Sequence, residues 1–209
     1  LGADVLVVGG GIAGLSLSAR LAEHARVVVL EAESAPGYHA SGRSVAFAHY
    51  GLGETRVRTL TALSMEELAA HGSVHPALHI ARAEQMAALD ALEEVHRQFG
   101  CDYERIGPEA ALALMPALKP EACAAALVDH GSLKLDTNAM LQAHVASLRA
   151  GGGVLVTGAQ VSAIARDSAG WHVTASGETY TAPILVNAAG AWADEIARMA
   201  GVTPIGLEP

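Results

Sequence analysis

Apolar runs and a segment with helical spacing alternate at the start of the chain. Residues 3–8 and 26–31 consist mainly of apolar side chains, a pattern typical of parallel strands that are buried on both faces. Between them, residues 12–23 carry apolar side chains at helical spacing. Because parallel strands need a crossover connection, usually a helix, the pattern predicts a βαβ unit.

A glycine-rich turn joins the first predicted strand to the helix. Gly9, Gly11 and Gly14 follow the spacing G-x-G-x-x-G, in which the first glycine permits a tight turn, the second leaves room for a pyrophosphate and the third lets helix and strand pack closely. The helix that begins near Ile12 points free N–H groups at the phosphate. Glu31 ends the second strand at the expected distance of about 20 residues and is placed to accept hydrogen bonds from ribose hydroxyls. These features predict a dinucleotide site and leave NAD and FAD both open.

The rest of the chain alternates helices and strands. Helices are predicted over residues 55–70, 83–99, 108–114, 136–149 and 192–200, and strands over 75–82, 121–128, 154–157, 161–165, 171–175, 179–182 and 184–186. The three strands between residues 161 and 182 alternate in polarity and are separated by turn signals, which predicts an antiparallel meander. Residues 34–44 form a long loop of small side chains, and such loops are usually functional.

Buried parallel strands return after each excursion of the chain, so the pattern predicts two interleaved domains. The fold class is α/β: a Rossmann-like nucleotide-binding domain with an antiparallel meander, interleaved with part of an α+β domain. We place the first domain at residues 1–74 and 136–209, and the second at residues 75–135.

Composition and charge limit the classes of partner and cellular setting that the protein can have. With 22 acidic and 13 basic residues, the formal net charge of −9 argues against nucleic acid as a partner. No apolar run reaches the about 18 residues that span a bilayer, so we expect no transmembrane segment. Cys101 and Cys123 lack a C-x-x-C spacing and the ten histidines lack a metal-ligand spacing, so we expect no metal site and a reducing, cytoplasmic setting.

Three motifs resemble the FAD-dependent D-amino acid oxidase and dehydrogenase family. They are VVGGGIAG at the start, GYHASGRS over Gly37–Ser44 and VNAAGAWA over Val186–Ala193. Further stretches, including the Tyr50-Gly51 pair and DTNAM after Leu135, resemble its branch of bacterial D-arginine dehydrogenases. The resemblance covers essentially the whole chain, which corresponds to the N-terminal part of the family's length.

The resemblance implies FAD as the cofactor, bound without a covalent bond, and divides the chain into an FAD-binding and a substrate domain. The loop after Gly37 wraps the pyrophosphate and flavin, and small residues after Asn187 let the backbone approach the cofactor closely. The implied cofactor-binding residues are Gly9, Gly11, Ile12, Ala13, Gly14, Glu31, Ala32, Ala40, Ser41, Gly42, Arg43, Ser44, Val45, Ala46, Phe47, Val161, Ala188, Ala189, Gly190 and Trp192.

By resemblance, the reaction removes a hydride from the α-carbon of a D-amino acid to flavin N5, and water hydrolyses the imino acid to a 2-oxo acid and ammonia. Tyr50 matches a family tyrosine on a mobile loop over the substrate, and Glu84 matches an acid that pairs with a cationic side chain. Phe47 stands where the arginine-specific enzymes have a histidine, for which His49 is a candidate substitute. The electron acceptor, oxygen or a quinone, is left open.

Two other functions stay open. The chain also fits a flavoprotein that oxidises a 2-hydroxy acid or glycerol 3-phosphate, which would need basic residues rather than Glu84 at the substrate. Alternatively, it is a flavin-binding subunit or fragment that acts only with a partner chain or with a C-terminal half, since the family's carboxylate-binding arginine lies in that half.

Overall fold

The computed structural model describes residues 2–207, which form two compact units. The helices are α1 (Ile12–Leu21), α2 (Thr55–Ala69), α3 (Met86–Gln98), α4 (Pro108–Leu114), α5 (Thr137–Ala150) and α6 (Ala193–Met199). The strands are β1 (Val5–Val8), β2 (Val27–Leu30), β3 (Phe47–Ala48), β4 (Gly72–Val74), β5 (Ala77–Ala81), β6 (Tyr103–Ile106), β7 (Ala125–Asp129), β8 (Leu133–Leu135), β9 (Val154–Val156), β10 (Val161–Asp167), β11 (Gly170–Ala175), β12 (Glu178–Ala182) and β13 (Ile184–Asn187).

The first unit comprises described residues 2–44 and 137–207 and contains a parallel sheet of strand order β13-β1-β2-β9. In its register Val8 pairs with Leu30 on one side and with Asn187 on the other. The carboxyl ends of three strands therefore lie side by side, and the residues that follow them share one edge of the sheet.

The two central strands, β1 and β2, are buried on both faces, which explains why they are continuous apolar runs. The edge strands β9 and β13 are partly exposed, so the burial predicted for residues 184–186 is wrong at Ile184, which is 53% exposed. Leu6 and Leu30 pack on one face in a cluster with Val173 of the β10–β12 meander and Ile196 of α6. On the other face, Val7 and Val29 form a cluster with Leu15 of α1 and with Leu141, Val145 and Leu148 of α5. The α/β fold class with a meander, predicted from the sequence, is confirmed.

The second unit comprises residues 45–136 and contains two small antiparallel sheets, ordered β3-β8-β4 and β5-β7-β6. Leu127 of β7 packs with Leu89 of α3 on one face of the β5-β7-β6 sheet. Ala126, which immediately precedes Leu127, packs with Ala111 of α4 on the other face. Successive residues of β7 therefore pack against different helices, one on each face of the sheet.

The division between the units differs from the sequence-based boundary at residue 74. Phe47 of β3 and Ser73 of β4 both pair with Lys134 of β8, which draws residues 45–74 into the second unit. Strands this short carry little periodicity of their own, and their pairing with a distant strand decides where they belong.

Helix α2 forms where its apolar spacing predicts a helix, but its described side chains are not buried. Val57, Leu60 and Leu63 are exposed, Leu63 to 79%. The apolar spacing therefore predicted the position of the helix correctly, but it did not predict whether the apolar face of the helix is buried. Within residues 2–207, none of the helices combines the length and apolar character that crossing a bilayer requires.

Candidate cofactor site

The glycine-rich turn is fixed by close backbone contacts. Gly9 has a φ of +111°, and a Cβ built there would lie 2.3 Å from the carbonyl oxygen of Ala188. A Cβ on Gly14 would lie 2.0 Å from the carbonyl oxygen of Gly9. Only glycine fits these two positions, because the obstructing atoms are backbone and cannot rotate away.

The loop over residues 37–44 folds onto this turn. The Ile12 N–H, at the start of α1, donates to Ser41 Oγ at 2.9 Å, and the Gly37 N–H donates to the Gly10 carbonyl at 3.0 Å. The first free N–H of the helix, expected to face a phosphate, is thus capped by a serine that itself retains one hydroxyl hydrogen to donate. Two segments that the sequence separates by almost thirty residues therefore form one surface.

Glu31 is buried at the carboxyl end of β2 and holds the turn. Its Oε2 accepts the Gly10 N–H at 2.7 Å, and its Oε1 accepts the Glu33 N–H at 2.8 Å. Each carboxylate oxygen can accept a second hydrogen bond, so the ribose contact predicted for Glu31 remains compatible with this geometry. The carboxylate has an additional role that the sequence did not indicate, which is to position the backbone of the glycine turn.

A cavity of about 700 Å³ lies at this edge of the sheet, within the first unit. Of the residues predicted to bind the cofactor, those that line it are Gly9, Gly11, Glu31, Ala32, Ala40, Ser41, Arg43, Val161, Ala188, Ala189, Gly190 and Trp192. Among the described residues, Ile12, Ala13, Gly14, Gly42 and Ser44 are not part of its lining. Gly14 acts from behind the turn, through packing. Val45, Ala46 and Phe47 belong to the second unit.

Sequence reasoning missed three residues on the cavity wall, Glu33, Tyr38 and His39, which lie beside the predicted Arg43 and Trp192. The His39 ring lies 4.4 Å from the Trp192 ring, centroid to centroid, and His39 Nε2 lies 2.8 Å from Glu33 Oε1. The Arg43 guanidinium carbon is 5.1 Å from the centroid of the Tyr38 ring. Tyr38, His39 and Arg43 all belong to the GYHASGRS motif, so the sequence could have pointed to them. Only the fold places Glu33 and Trp192 beside them.

The cavity has the shape and chemistry for a nucleotide cofactor such as FAD. Its volume falls in the range of cofactor pockets, its glycine turn leaves a backbone surface for a pyrophosphate, and Arg43 supplies a cation for phosphate oxygens. Glu31, also in the lining, supplies acceptors for sugar hydroxyls. The residues present thus fit the group.

The three predicted substrate residues lie in the second unit. His49 Nδ1 accepts the Gly51 N–H at 3.1 Å, and burial lowers the pKa of its ring. Tyr50 stacks on Phe99 with ring centroids 5.2 Å apart, and burial raises the pKa of its phenol. Glu84 lies in a short 3₁₀ helix (Ala83–Gln85) with its side chain 67% exposed and 3.6 Å from Arg82 Nη1. His49 and Tyr50 are both uncharged near neutral pH, whereas Glu84 presents a carboxylate to solvent.

A family model described as "DAO: FAD dependent oxidoreductase" matches residues 4–209. The chain belongs to this FAD-dependent oxidoreductase family. FAD is therefore the cofactor to which the cavity and the glycine turn correspond, which answers the choice that the glycine motif alone left open.

Similar proteins act on different substrates, according to their names. One subunit of the anaerobic glycerol-3-phosphate dehydrogenase from Escherichia coli is 26% identical, over 94% of this chain and 39% of its own length. Human mitochondrial dimethylglycine dehydrogenase is 29% identical, over 96% of this chain and 24% of its own length. The structure of L-alpha-glycerophosphate oxidase from Mycoplasma pneumoniae with FAD bound superposes with a TM-score of 0.86 at 20% identity, covering 96% of this chain and 57% of that one. The chain thus spans less than two thirds of each, and at this identity the structural likeness shows the fold alone.

Replacing Glu31 with alanine is expected to weaken FAD binding by about 1–3 kcal/mol. The variant loses the acceptor for ribose hydroxyls and leaves the Gly10 N–H without its partner. Flavin fluorescence titration of the full gene product, stripped of cofactor, measures the change in Kd. The exposed Glu178, in the same unit, provides the control Glu178→Ala, for which the Kd should not change. An unchanged Kd in Glu31→Ala would remove Glu31 from the site.

Proposed function

We propose that this chain supplies the FAD-binding part of an oxidoreductase that converts the α-carbon amine of a D-amino acid to an imine. The observation that carries the proposal is the convergence of the glycine turn, the 37–44 loop and the segment after β13 on one cavity. The oxidase and dehydrogenase branch for D-amino acids is favoured because its characteristic motifs coincide with those three segments.

The residues of the first unit hold the cofactor in this proposal. Glu31 accepts hydrogen bonds from the ribose, the Ser41 hydroxyl donates to the pyrophosphate, and Arg43 balances its charge. The Val161 backbone faces the adenine. FAD, when bound, supplies the acceptor for the hydride at flavin N5. Binding is non-covalent, and oxygen or a quinone serves as the final electron acceptor.

The second unit contributes to substrate binding. The Tyr50 phenol, kept protonated, donates to the substrate carboxylate and shields the reacting carbon from water. His49 is uncharged, and because its Nδ1 accepts the Gly51 N–H, its Nε2 carries the hydrogen and donates one hydrogen bond beside it. The exposed Glu84 carboxylate pairs with the cationic side chain of a basic amino acid such as D-arginine. Loss of hydride from carbon and of a proton from the neutral amine gives the imino acid, and water converts this to a 2-oxo acid and ammonia.

An alcohol substrate is the second candidate function. It is favoured by the similarity to a protein named for glycerol 3-phosphate, over 94% of this chain. A phosphorylated or carboxylated alcohol is an anion and requires basic residues at the substrate, whereas Glu84 and the net charge of −9 favour a cation.

An anaerobic visible spectrum of the full gene product tests the proposal. D-Arginine is added to the yellow protein, with L-arginine, D-leucine and glycerol 3-phosphate in parallel samples. Loss of the flavin band with D-arginine and not with L-arginine supports D-amino acid oxidation. Bleaching by glycerol 3-phosphate alone would replace the proposal with the second candidate, and a protein bleached by none of the four would refute the proposed substrate class.

Replacing Glu84 with leucine is expected to lower the preference for D-arginine over D-leucine, measured as the ratio of kcat/KM values, by about 10- to 100-fold, since a charge-assisted contact is lost. The matched control is Glu121→Leu, because Glu121 is also exposed and in the first turn of a 3₁₀ helix (Pro120–Ala122). If Glu84→Leu keeps the preference of the unmodified enzyme, the assignment of Glu84 is wrong.

A further inference from the structure

Three ionisable side chains meet in the second unit, on elements that are distant in sequence. His79 lies in β5, His96 in α3 and Asp129 at the end of β7. One ligand atom from each of them lies within 4.8 Å of the others. The His96 and Asp129 side chains are fully or almost fully buried, at 0% and 1% exposure. No step of the proposed reaction uses this group.

The hydrogen bond made by Nδ1 of His96 determines whether Nε2 of the same ring carries a hydrogen. Nδ1 lies 2.9 Å from the Leu92 carbonyl oxygen, which only accepts, so Nδ1 carries a hydrogen. In the neutral ring, the Nε2 lone pair then faces Asp129 Oδ2 at 3.1 Å. Two electron-rich atoms at this distance repel each other unless a cation lies between them, either a proton on Nε2 or a metal ion bound by both.

His79 distinguishes these two cations. Its Nε2 is buried and, among the described residues, has no hydrogen-bond partner, although a buried polar atom normally has one. A proton on His96 satisfies His96 and Asp129 and leaves His79 Nε2 unpaired. A metal ion bound through His79 Nε2, His96 Nε2 and Asp129 Oδ2 would satisfy every one of these atoms.

We propose that His79, His96 and Asp129 form a binding site for a divalent transition-metal cation such as Zn²⁺. Two imidazole nitrogens and one carboxylate oxygen are a common ligand set for such ions, with a further position left for water. The three ligands together carry one negative charge, which a divalent ion more than balances.

The surroundings of the ligands agree with a metal site. Metal-binding histidines usually donate their other nitrogen to a carbonyl or carboxylate, as His96 does to Leu92. The second carboxylate oxygen, Asp129 Oδ1, accepts the Gly131 N–H at 2.9 Å and is thereby oriented. Ligand atoms of tetrahedral zinc lie about 3.3 Å apart, which is close to the 3.1 Å between His96 Nε2 and Asp129 Oδ2, and the His79 ligand atom lies within 4.8 Å of both residues' ligand atoms.

A bound ion would link β5, α3 and β7. Its stabilising effect would therefore concern the second unit and would not require FAD. It does not depend on the proposed function, since neither Tyr50 nor Glu84 is a ligand. The scattered histidines gave no reason to expect this site, because its ligands stand at positions 79, 96 and 129 along the chain.

Zinc binding to the tag-free full gene product tests the proposal. After dialysis against a chelator, Zn²⁺ alone is added and its stoichiometry is measured by mass spectrometry of the metal, while Co²⁺ is added separately to record its visible ligand-field bands. One tightly bound ion per chain and Co²⁺ bands typical of four-coordination support the site. His79→Leu should weaken Zn²⁺ binding at least about 100-fold, with the FAD spectrum unchanged.

His130→Leu is the matched control, because His130 belongs to the same unit, is partly exposed and is not among the proposed ligands. Equal Zn²⁺ affinity in the unmodified protein and His79→Leu overturns the proposal, as does an equal loss in both variants. The unmodified protein gives an answer even if His79→Leu does not fold: its melting temperature should rise when Zn²⁺ is added, and no rise would identify the pair as an imidazolium and a carboxylate only.

Discussion

A Gly14→Ala variant is expected to lose FAD binding, with a Kd at least about 100-fold weaker, or about 3 kcal/mol. The added Cβ would lie 2.0 Å from the Gly9 carbonyl oxygen and 3.4 Å from the Ala188 Cβ. The turn cannot move away easily, since the Gly9 N–H donates to the Leu30 carbonyl at 2.9 Å and the Gly10 N–H donates to Glu31. Displacing α1 from β1 therefore distorts the backbone surface that we propose faces the pyrophosphate.

Flavin titration of the full gene product measures this loss, and circular dichroism reports whether the variant folds. Gly107→Ala is the matched control: Gly107 precedes α4 with a φ of −80°, and no atom lies within 4 Å of a Cβ built there. Gly11→Ala separates packing from binding, because its Cβ would meet only the rotatable Ser41 Oγ, at 3.3 Å. It should keep the melting temperature and lose affinity for FAD. Undiminished FAD binding by Gly14→Ala would contradict the packing argument.

Truncating Leu148 to alanine is expected to destabilise the first unit by about 3–4 kcal/mol. Leu148 is fully buried, at 0% exposure, where α5 packs on the parallel sheet in a cluster with Leu15 and Val29. The substitution removes its transfer free energy and leaves a cavity between rigid elements that cannot collapse fully.

Urea unfolding followed by tryptophan fluorescence measures this change selectively. The two tryptophans of the chain, Trp171 and Trp192, both lie in the first unit. Leu17→Ala is the control, because Leu17 lies on α1 in the same unit and is 37% exposed; its cost should be about 1 kcal/mol or less. Equal midpoints for the two variants would show that Leu148 does not stabilise the core as its burial indicates.

The sequence located the elements of the first unit because their signals are local. Strands covered on both faces must be apolar throughout, so β1 and β2 were visible as apolar runs. Gly14 is required by a contact within a single turn and its helix, which a short motif can encode, whereas Gly9 is required by the Ala188 carbonyl after β13. The membership in a family of FAD-dependent oxidoreductases then confirmed the cofactor that the three motifs implied.

The tertiary structure decided the features that depend on residues far apart in the chain. Short strands such as β3 and β4 gain their place only by pairing with β8, which moved the boundary between the units from residue 74 to residue 44. The apolar spacing of α2 predicted that these residues form a helix, but it could not predict how far they are buried. Burial depends on which other elements pack against the helix.

The same distinction applies to the sites. The sequence by itself determined a glycine turn, an acid after β2 and a loop of small residues, since each needs only neighbouring residues to be recognised. Only the fold decided that Ser41 caps α1, that Glu31 holds Gly10, and that His79, His96 and Asp129 converge. Hydrogen bonds and ligand sets join side chains by distance in space, and that distance is set by strand pairing and helix packing, which no local pattern contains.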